Sequence, residues 1–204
     1  MVSRFAILFI SLISFSTLGL AQFRIPRIDV EVKIHQVLIP GNGDQNSPSS
    51  LKAISTANLL LGAHVQINQY FAVGWYYSNS FSGSGYNTVD FKGKFWAKGD
   101  SKAMTQLSGP EIRISTGRAS KWRPYLILNY SNIQIVEDKE SFRFSSKLTA
   151  IGASMGIMRR YGNHLYWNVL EIGGKSFSEK LFWADASGLI DVKMGFTYNI
   201  GKKK

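Results

Sequence analysis

The segment Ile190-Asp191-Val192-Lys193-Met194-Gly195-Phe196-Thr197-Tyr198-Asn199-Ile200 decides the fold class. Its apolar side chains occupy every second position, from Ile190 through Val192, Met194, Phe196 and Tyr198 to Ile200. Asp191, Lys193, Gly195, Thr197 and Asn199 stand between them. An amphipathic helix places apolar residues three and four apart, whereas a strand sends alternate side chains to opposite faces. The segment is a strand with one apolar and one polar face.

The same period recurs upstream. Ile28, Val30, Val32, Ile34 and Leu38 alternate with Asp29, Glu31, Lys33 and His35; Leu59, Leu61, Ala63, Val65 and Ile67 alternate with Gly62, His64 and Gln66. Phe71, Val73, Trp75 and Tyr77 oppose Ala72, Gly74 and Ser78, and Ile112 and Ile114 oppose Glu111, Arg113 and Ser115. Leu126, Leu128 and Tyr130 oppose Ile127, Asn129 and Ser131, and Ile151, Ala153, Met155 and Ile157 oppose Gly152, Ser154 and Gly156. Eight strands are predicted, at about 27–40, 56–67, 70–82, 104–117, 123–136, 144–159, 164–174 and 188–200. Pro110 removes a ladder donor from the fourth, which predicts a later start or a bulge. In the seventh, the apolar phase of Leu165, Trp167 and Val169 would point Glu171 outward.

Short connections (68–69, 118–122, 160–163) alternate with longer ones (41–55, 83–103, 137–143, 175–187), and both chain ends fall on the short side. That is the order of an even up-and-down meander. The 204 residues suffice for one such domain, and 18% charged residues are too few for a disordered chain. With no cysteine, a disulfide scaffold, a cysteine zinc site and a thiol nucleophile are excluded. No cofactor or metal is expected.

Arg4, the apolar run Phe5 to Leu20 and the small residues Gly19 and Ala21 read as a secretory leader over 1–21, leaving a barrel domain over 22–204. No later stretch is long and apolar enough for a membrane helix. Two barrels fit an exported, alternating chain: a transmembrane barrel with apolar residues outward, or a soluble barrel with an apolar cavity, as in lipocalins. Three features favour the membrane. Charges of opposite sign sit in mid-strand (Glu31 and Lys33, Glu111 and Arg113, Asp191 and Lys193), where they could neutralise one another in a narrow lumen. The opposing faces are almost wholly aliphatic and aromatic. Aromatic residues cluster beside the short turns, as an interfacial girdle does: Tyr70 and Phe71, Trp122 and Tyr125, Tyr161 and Tyr166, Phe196 and Tyr198. The fold class is all-β: an eight-stranded antiparallel up-and-down transmembrane β-barrel.

In this the chain resembles the small eight-stranded outer-membrane barrels of Gram-negative bacteria, the outer-membrane protein A and X type. Gly109-Pro110-Glu111-Ile112-Arg113-Ile114 and Arg123-Pro124-Tyr125-Leu126 look like the paired fourth and fifth strands of porin-like barrel-domain proteins. The resemblance implies an outer-membrane location, a monomer, contact with outer-membrane lipids and assembly by the barrel-assembly machinery. That machinery usually reads a terminal aromatic residue; here Tyr198 is followed by Asn199-Ile200-Gly201 and three lysines.

The net charge of +11 collects near the short turns and termini, at Arg24, Arg27, Arg118, Lys121, Arg123, Arg159, Arg160, Lys202, Lys203 and Lys204. A basic periplasmic rim suits phospholipid headgroups or a docking partner. A ring of charge on an exported chain argues against nucleic acid.

By strand parity the lumen holds His35, His64, Glu31, Lys33, Glu111, Arg113, Asp191 and Lys193. These read either as a salt-bridged plug or as the lining of a narrow channel for small solutes, and the plug is favoured. A lipid A-modifying enzyme would need a base at the outer membrane edge. His35 is the available candidate, with Ser80 or Ser82 as a serine partner; His164 lies beside a short turn, on the other side. No spacing links these residues, so no catalytic set is assigned. The loop 83–103 carries Tyr86, Phe91, Phe95 and Trp96 with period two from Val89 to Ala97, which suits a protruding hairpin that binds a surface ligand or a protein.

Overall fold

The computed structural model describes residues 27–41, 53–86, 101–116, 120–139, 142–181 and 186–201. They form eight strands: β1 (Ile28–Pro40), β2 (Ala53–Gln66), β3 (Phe71–Tyr86), β4 (Ser101–Ser115), β5 (Trp122–Lys139), β6 (Phe142–Arg160), β7 (Leu165–Leu181) and β8 (Ala186–Ile200). There is no helix among the described residues. Each strand pairs antiparallel with its sequence neighbours. β1 also pairs with β8, from Ile28↔Ile200 to Leu38↔Ile190, and so closes the sheet into a barrel. Closure gives the backbone groups of the first and last strands a partner, which an open sheet would leave bare. The leader read over 1–21 lies outside the described residues.

The connections differ from the sequence expectation at one end of the barrel. The links 67–70, 116–121 and 161–164 are short. At the opposite end the strands run on into the segments expected to be loops. β5 and β6 leave only 140–141 between them, and β7 and β8 leave 182–185. The short-long alternation therefore fails at the third and fourth outer connections. β5 runs to Lys139, past its expected end at 136, and β5 and β6 reach 18 and 19 residues against 13 for β1. Of the loop 83–103, residues 83–86 belong to β3 and 101–103 to β4, while 87–100 lie outside the described residues.

Pro110 causes neither a late start nor a bulge. β4 begins at Ser101 and runs through it. Its ladder with β5 pairs Ser108↔Asn132 and Glu111↔Asn129 in one register and skips the two positions between, while Trp75↔Pro110 holds on the β3 side. The missing N–H falls toward β5, and the proline side chain points outward.

A bulge does occur in β7. Asn168 pairs with Gly195 and Glu171 with Lys193, so one residue more is used on β7 than on β8. The β6 ladder shows the same shift, from Met158↔Asn168 to Ile157↔Leu170. Val169 is the extra residue. It lets Trp167 and Leu170 both face outward while Asn168 and Glu171 both face inward. The phase expected for the seventh strand holds below Val169 and is reset above it.

Polarity inverts along the barrel. In the half near the short links, Val30, Val32, Ile34, Leu61, Val65, Leu126, Leu128, Tyr130, Phe196 and Tyr198 are exposed, and charged or polar residues point inward. In the other half most inward positions are apolar: Val37, Ile39, Ile54, Leu107, Ile133, Ile135, Leu148 and Leu181 belong to one buried cluster, with Thr56, Asn58, Thr105 and Glu137 buried beside it. Gln36, Asn79, Asn132 and Lys147 face outward there. In β5 the switch comes at Ser131 and Asn132 with no break in register against β6. A soluble barrel with an apolar cavity needs apolar residues inward throughout, and the half near the short links has the reverse.

Candidate functional site

The lower lumen is a cross-braced layer of charge. β1 sends Asp29, Glu31, Lys33 and His35 inward, β2 sends His64, β4 sends Glu111 and Arg113, β7 sends Glu171 and Lys175, and β8 sends Asp191 and Lys193, all of them buried. An eight-stranded barrel is just wide enough for such side chains to meet across it. The Arg113 guanidinium donates to both Asp29 and Glu31. Asp29 also accepts from the side-chain amides of Gln66 and Asn199. Lys33 Nζ lies 2.6 Å from Glu31 and 2.9 Å from Glu171.

Glu171 is the hub. Besides Lys33, it accepts from Lys193 Nζ at 2.6 Å, Ser154 Oγ at 2.7 Å and Tyr125 Oη at 3.0 Å. Lys193 also lies 3.3 Å from Asp191, and Lys175 donates to Asn129 at 2.6 Å. Of the same-strand pairs suggested by sequence, Glu31 meets Lys33 and Asp191 meets Lys193. Arg113 instead crosses to β1, and Glu111 lies 2.7 Å from His64 Nε2.

Inward glycines make room for these side chains. A Cβ at Gly173 would stand 2.6 Å from Asp191 Oδ1 and 2.5 Å from Ser154 Cβ, and one at Gly74 would stand 2.5 Å from the His64 ring.

Sequence reading missed Glu171, Lys175 and Asp29 as members of this layer. Glu171 was hidden by the bulge, and Lys175 lies in a segment read as loop. Asp29 has the same parity as Glu31, which was signal enough to include it.

His35 does not meet the serines suggested for it. Its Nδ1 is 2.9 Å from Ser78 Oγ, and its Nε2 is 3.4 Å from Asp191 Oδ2. Ser80 instead accepts the Thr105 N–H. A serine, an imidazole and a carboxylate thus stand in line, but all are at most 1% exposed. They lie between the charged layer and the apolar cluster above, where no acyl substrate reaches the hydroxyl. His164 sits at the short-link end, with Nδ1 2.9 Å from the Asn199 carbonyl.

Glu31, His64 and Glu111 hold donor atoms within 4.8 Å of one another. Glu31 is already engaged by Arg113 and Lys33, so a metal ion would have to displace two fixed cations. The three side chains belong to the salt-bridged layer.

The basic rim is only partly described. Lys121 is exposed, Arg159 lies over the Trp122 ring at 5.3 Å, and Arg160 donates to the Gly162 carbonyl. Arg123 departs from the rim reading: it is 3% exposed, turned inward over the Tyr166 ring, and donates to Ser115 Oγ at 2.8 Å. Arg118, Lys202, Lys203 and Lys204 lie outside the described residues. The aromatic girdle needs the same correction. Tyr70, Phe71, Trp122, Tyr161, Phe196 and Tyr198 are exposed, whereas Tyr125 and Tyr166 point inward and pack with Ile127 and Met158.

No family model and no curated sequence matches the chain. Solved structures do. The outer membrane protein OprG from Pseudomonas aeruginosa matches with a TM-score of 0.56 at 13% identity, over 88% of this chain and 98% of that one. The N-terminal β-barrel domain of OprF from the same organism matches at 0.55 and 10%, over 86% and 98%. Ail, the attachment invasion locus protein of Yersinia pestis, matches at 0.52 and 10%, over 86% and 99%. At these identities the likeness is one of fold: the chain has the fold of the small eight-stranded outer-membrane barrels.

Proposed function

We propose that this chain is an integral outer-membrane barrel, exported by its leader and inserted as a monomer, with a sealed lumen and a role carried by its outer surface. The observation that carries this reading is the two-layer filling of the lumen. Charged side chains brace the lower half, and the apolar cluster of Val37, Ile39, Leu107, Ile133, Ile135 and Leu181, at 2% exposure or less, occupies most of the upper half beside the hydrogen-bonded Thr56, Asn58 and Thr105. An ion passing through would have to break buried pairs and then cross an apolar layer.

The exposed apolar belt supports the membrane location. From Ile190 to Ile200, β8 covers about 25 Å of height for a strand tilted by about 40°. That matches the apolar band of outer-membrane barrels. A belt this continuous around the whole barrel is not a surface that water tolerates. Closure of β1 on β8 within one chain supports the monomer, since no second copy is needed to complete the sheet. The buried setting of Ser78, His35 and Asp191 weighs against a lipid-modifying enzyme, and the sealed lumen weighs against a solute channel.

Planar-bilayer recording on the refolded chain tests the reading. The sealed barrel gives no stepwise current, and Leu107→Ser with Ile133→Ser and Ile135→Ser opens brief small steps. Steady unitary current from the unaltered chain, changed by Arg113→Ala or Lys193→Ala, would establish the channel reading instead.

A further inference from the structure

Above the apolar belt, the outer face of β4 to β7 is concave. A cavity of about 460 Å³ opens there. It is lined by two cross-strand rows, Gln106–Gln134–Lys147 and Ser108–Asn132–Thr149, whose members are register partners on β4, β5 and β6. Ser178 and Glu179 of β7, with the apolar Ile133 and Leu148, complete the wall. The hollow lies where two strands part: the β6–β7 ladder ends at Ala150↔Phe177, although both strands continue past it. The next outward row below is apolar, with Tyr130↔Ile151 in register and both side chains well exposed.

We infer that this hollow binds the headgroup of an outer-leaflet glycolipid, a phosphorylated sugar whose acyl chains lie against Tyr130 and Ile151. The inference rests on the outer-membrane reading and deepens it. The ligand class follows from the lining. Amides and hydroxyls, each able to donate and accept, suit a ligand dense in hydroxyl groups. Lys147 supplies the cation for a phosphate, and Glu179 can accept from sugar hydroxyls but not from the phosphate. The site sits where polarity inverts on the barrel wall, so a ligand there must be amphipathic, with its polar part on the long-strand side. A free sugar would leave the apolar row unused, and a plain phospholipid would leave most of the amide and hydroxyl rows unmatched.

The test uses the full chain refolded in phosphatidylcholine vesicles. One series is doped with monophosphoryl lipid A, a disaccharide lipid with one phosphate, and another with phosphatidylglycerol. The readout is the temperature at which the compact gel band converts to the unfolded one. The glycolipid raises that temperature at low mole fraction, and phosphatidylglycerol does not. Asn132→Ala with Gln134→Ala and Lys147→Ala keeps the undoped band unchanged but needs at least tenfold more glycolipid for the same shift. Lys147→Ala alone moves the same way by less. Equal shifts from the two lipids, or equal glycolipid demand in wild type and both variants, would overturn the site while leaving a folded membrane barrel. A chain that forms no compact band in any vesicle would instead overturn the outer-membrane reading.

Discussion

Glu171 concentrates the energetics of the lumen in one side chain. Its two carboxylate oxygens take Lys33, Lys193, Ser154 and Tyr125, so removing it takes one carboxylate from each of two buried ammonium groups and leaves Lys33 to Glu31 and Lys193 to Asp191 alone. Breaking one side of a buried pair costs about 3–5 kcal/mol. Glu171→Ala is expected to lower stability by about that amount in a urea titration followed by tryptophan fluorescence. Glu171→Ala combined with Lys193→Met recovers part of the loss. An equal loss in the single and double variants would show that the carboxylate does not act through Lys193. At this scale the sequence was legible wherever parity alone decides direction, as for Glu31, Lys33 and Asp191. It was not legible where partners are chosen across the barrel. That Arg113 serves Asp29 and Glu31 rather than Glu111 depends on register between strands far apart in the chain, which no single strand's alternation encodes.

Among the elements, β7 shows what period two cannot reveal. Val169 is an extra residue, and the phases on either side of it are each regular. Deleting Val169 leaves Asn168 inward, Leu170 outward and Glu171 inward, so the chain is expected to retain a compact band on an unboiled gel. Deleting Ile172 reverses the facing of every β7 residue beyond it, turning Lys175 outward at the level of Leu189, the edge of the apolar belt, and withdrawing it from the lumen, and is expected to abolish that band. The opposite ranking of the two deletions would refute the bulge. The inversion of polarity in β5 escapes sequence reading for a different reason. Leu126, Leu128 and Tyr130 set an outward apolar phase, and Ile133 and Ile135 then set an inward one with no bulge between. The alternation continues while its meaning reverses, because the surroundings of the outer wall change from hydrocarbon to water. Lysine at Leu128 is therefore expected to cost about 2–4 kcal/mol and lysine at Asn79 close to nothing, by unfolding in lipid vesicles. Equal costs at the two positions would remove the inversion.

For the whole molecule, the fold was the most legible property. Eight segments of period two are eight strands of one closed antiparallel barrel, and the direction of the apolar belt follows from charges placed in mid-strand. The heights of the strands were not legible, because Glu137 and Phe177 look the same in a loop as in a strand that rises past the belt. The molecule that results is a barrel of two halves: apolar outside and charged inside below, more polar outside and largely apolar inside above. Its central claim is that the lower belt faces lipid. The most direct test is outer-membrane fractionation of expressing cells, followed by gel electrophoresis with and without boiling. The account predicts a band that stays with the outer membrane and migrates faster unboiled than boiled. A soluble periplasmic protein with no shift on boiling would contradict it.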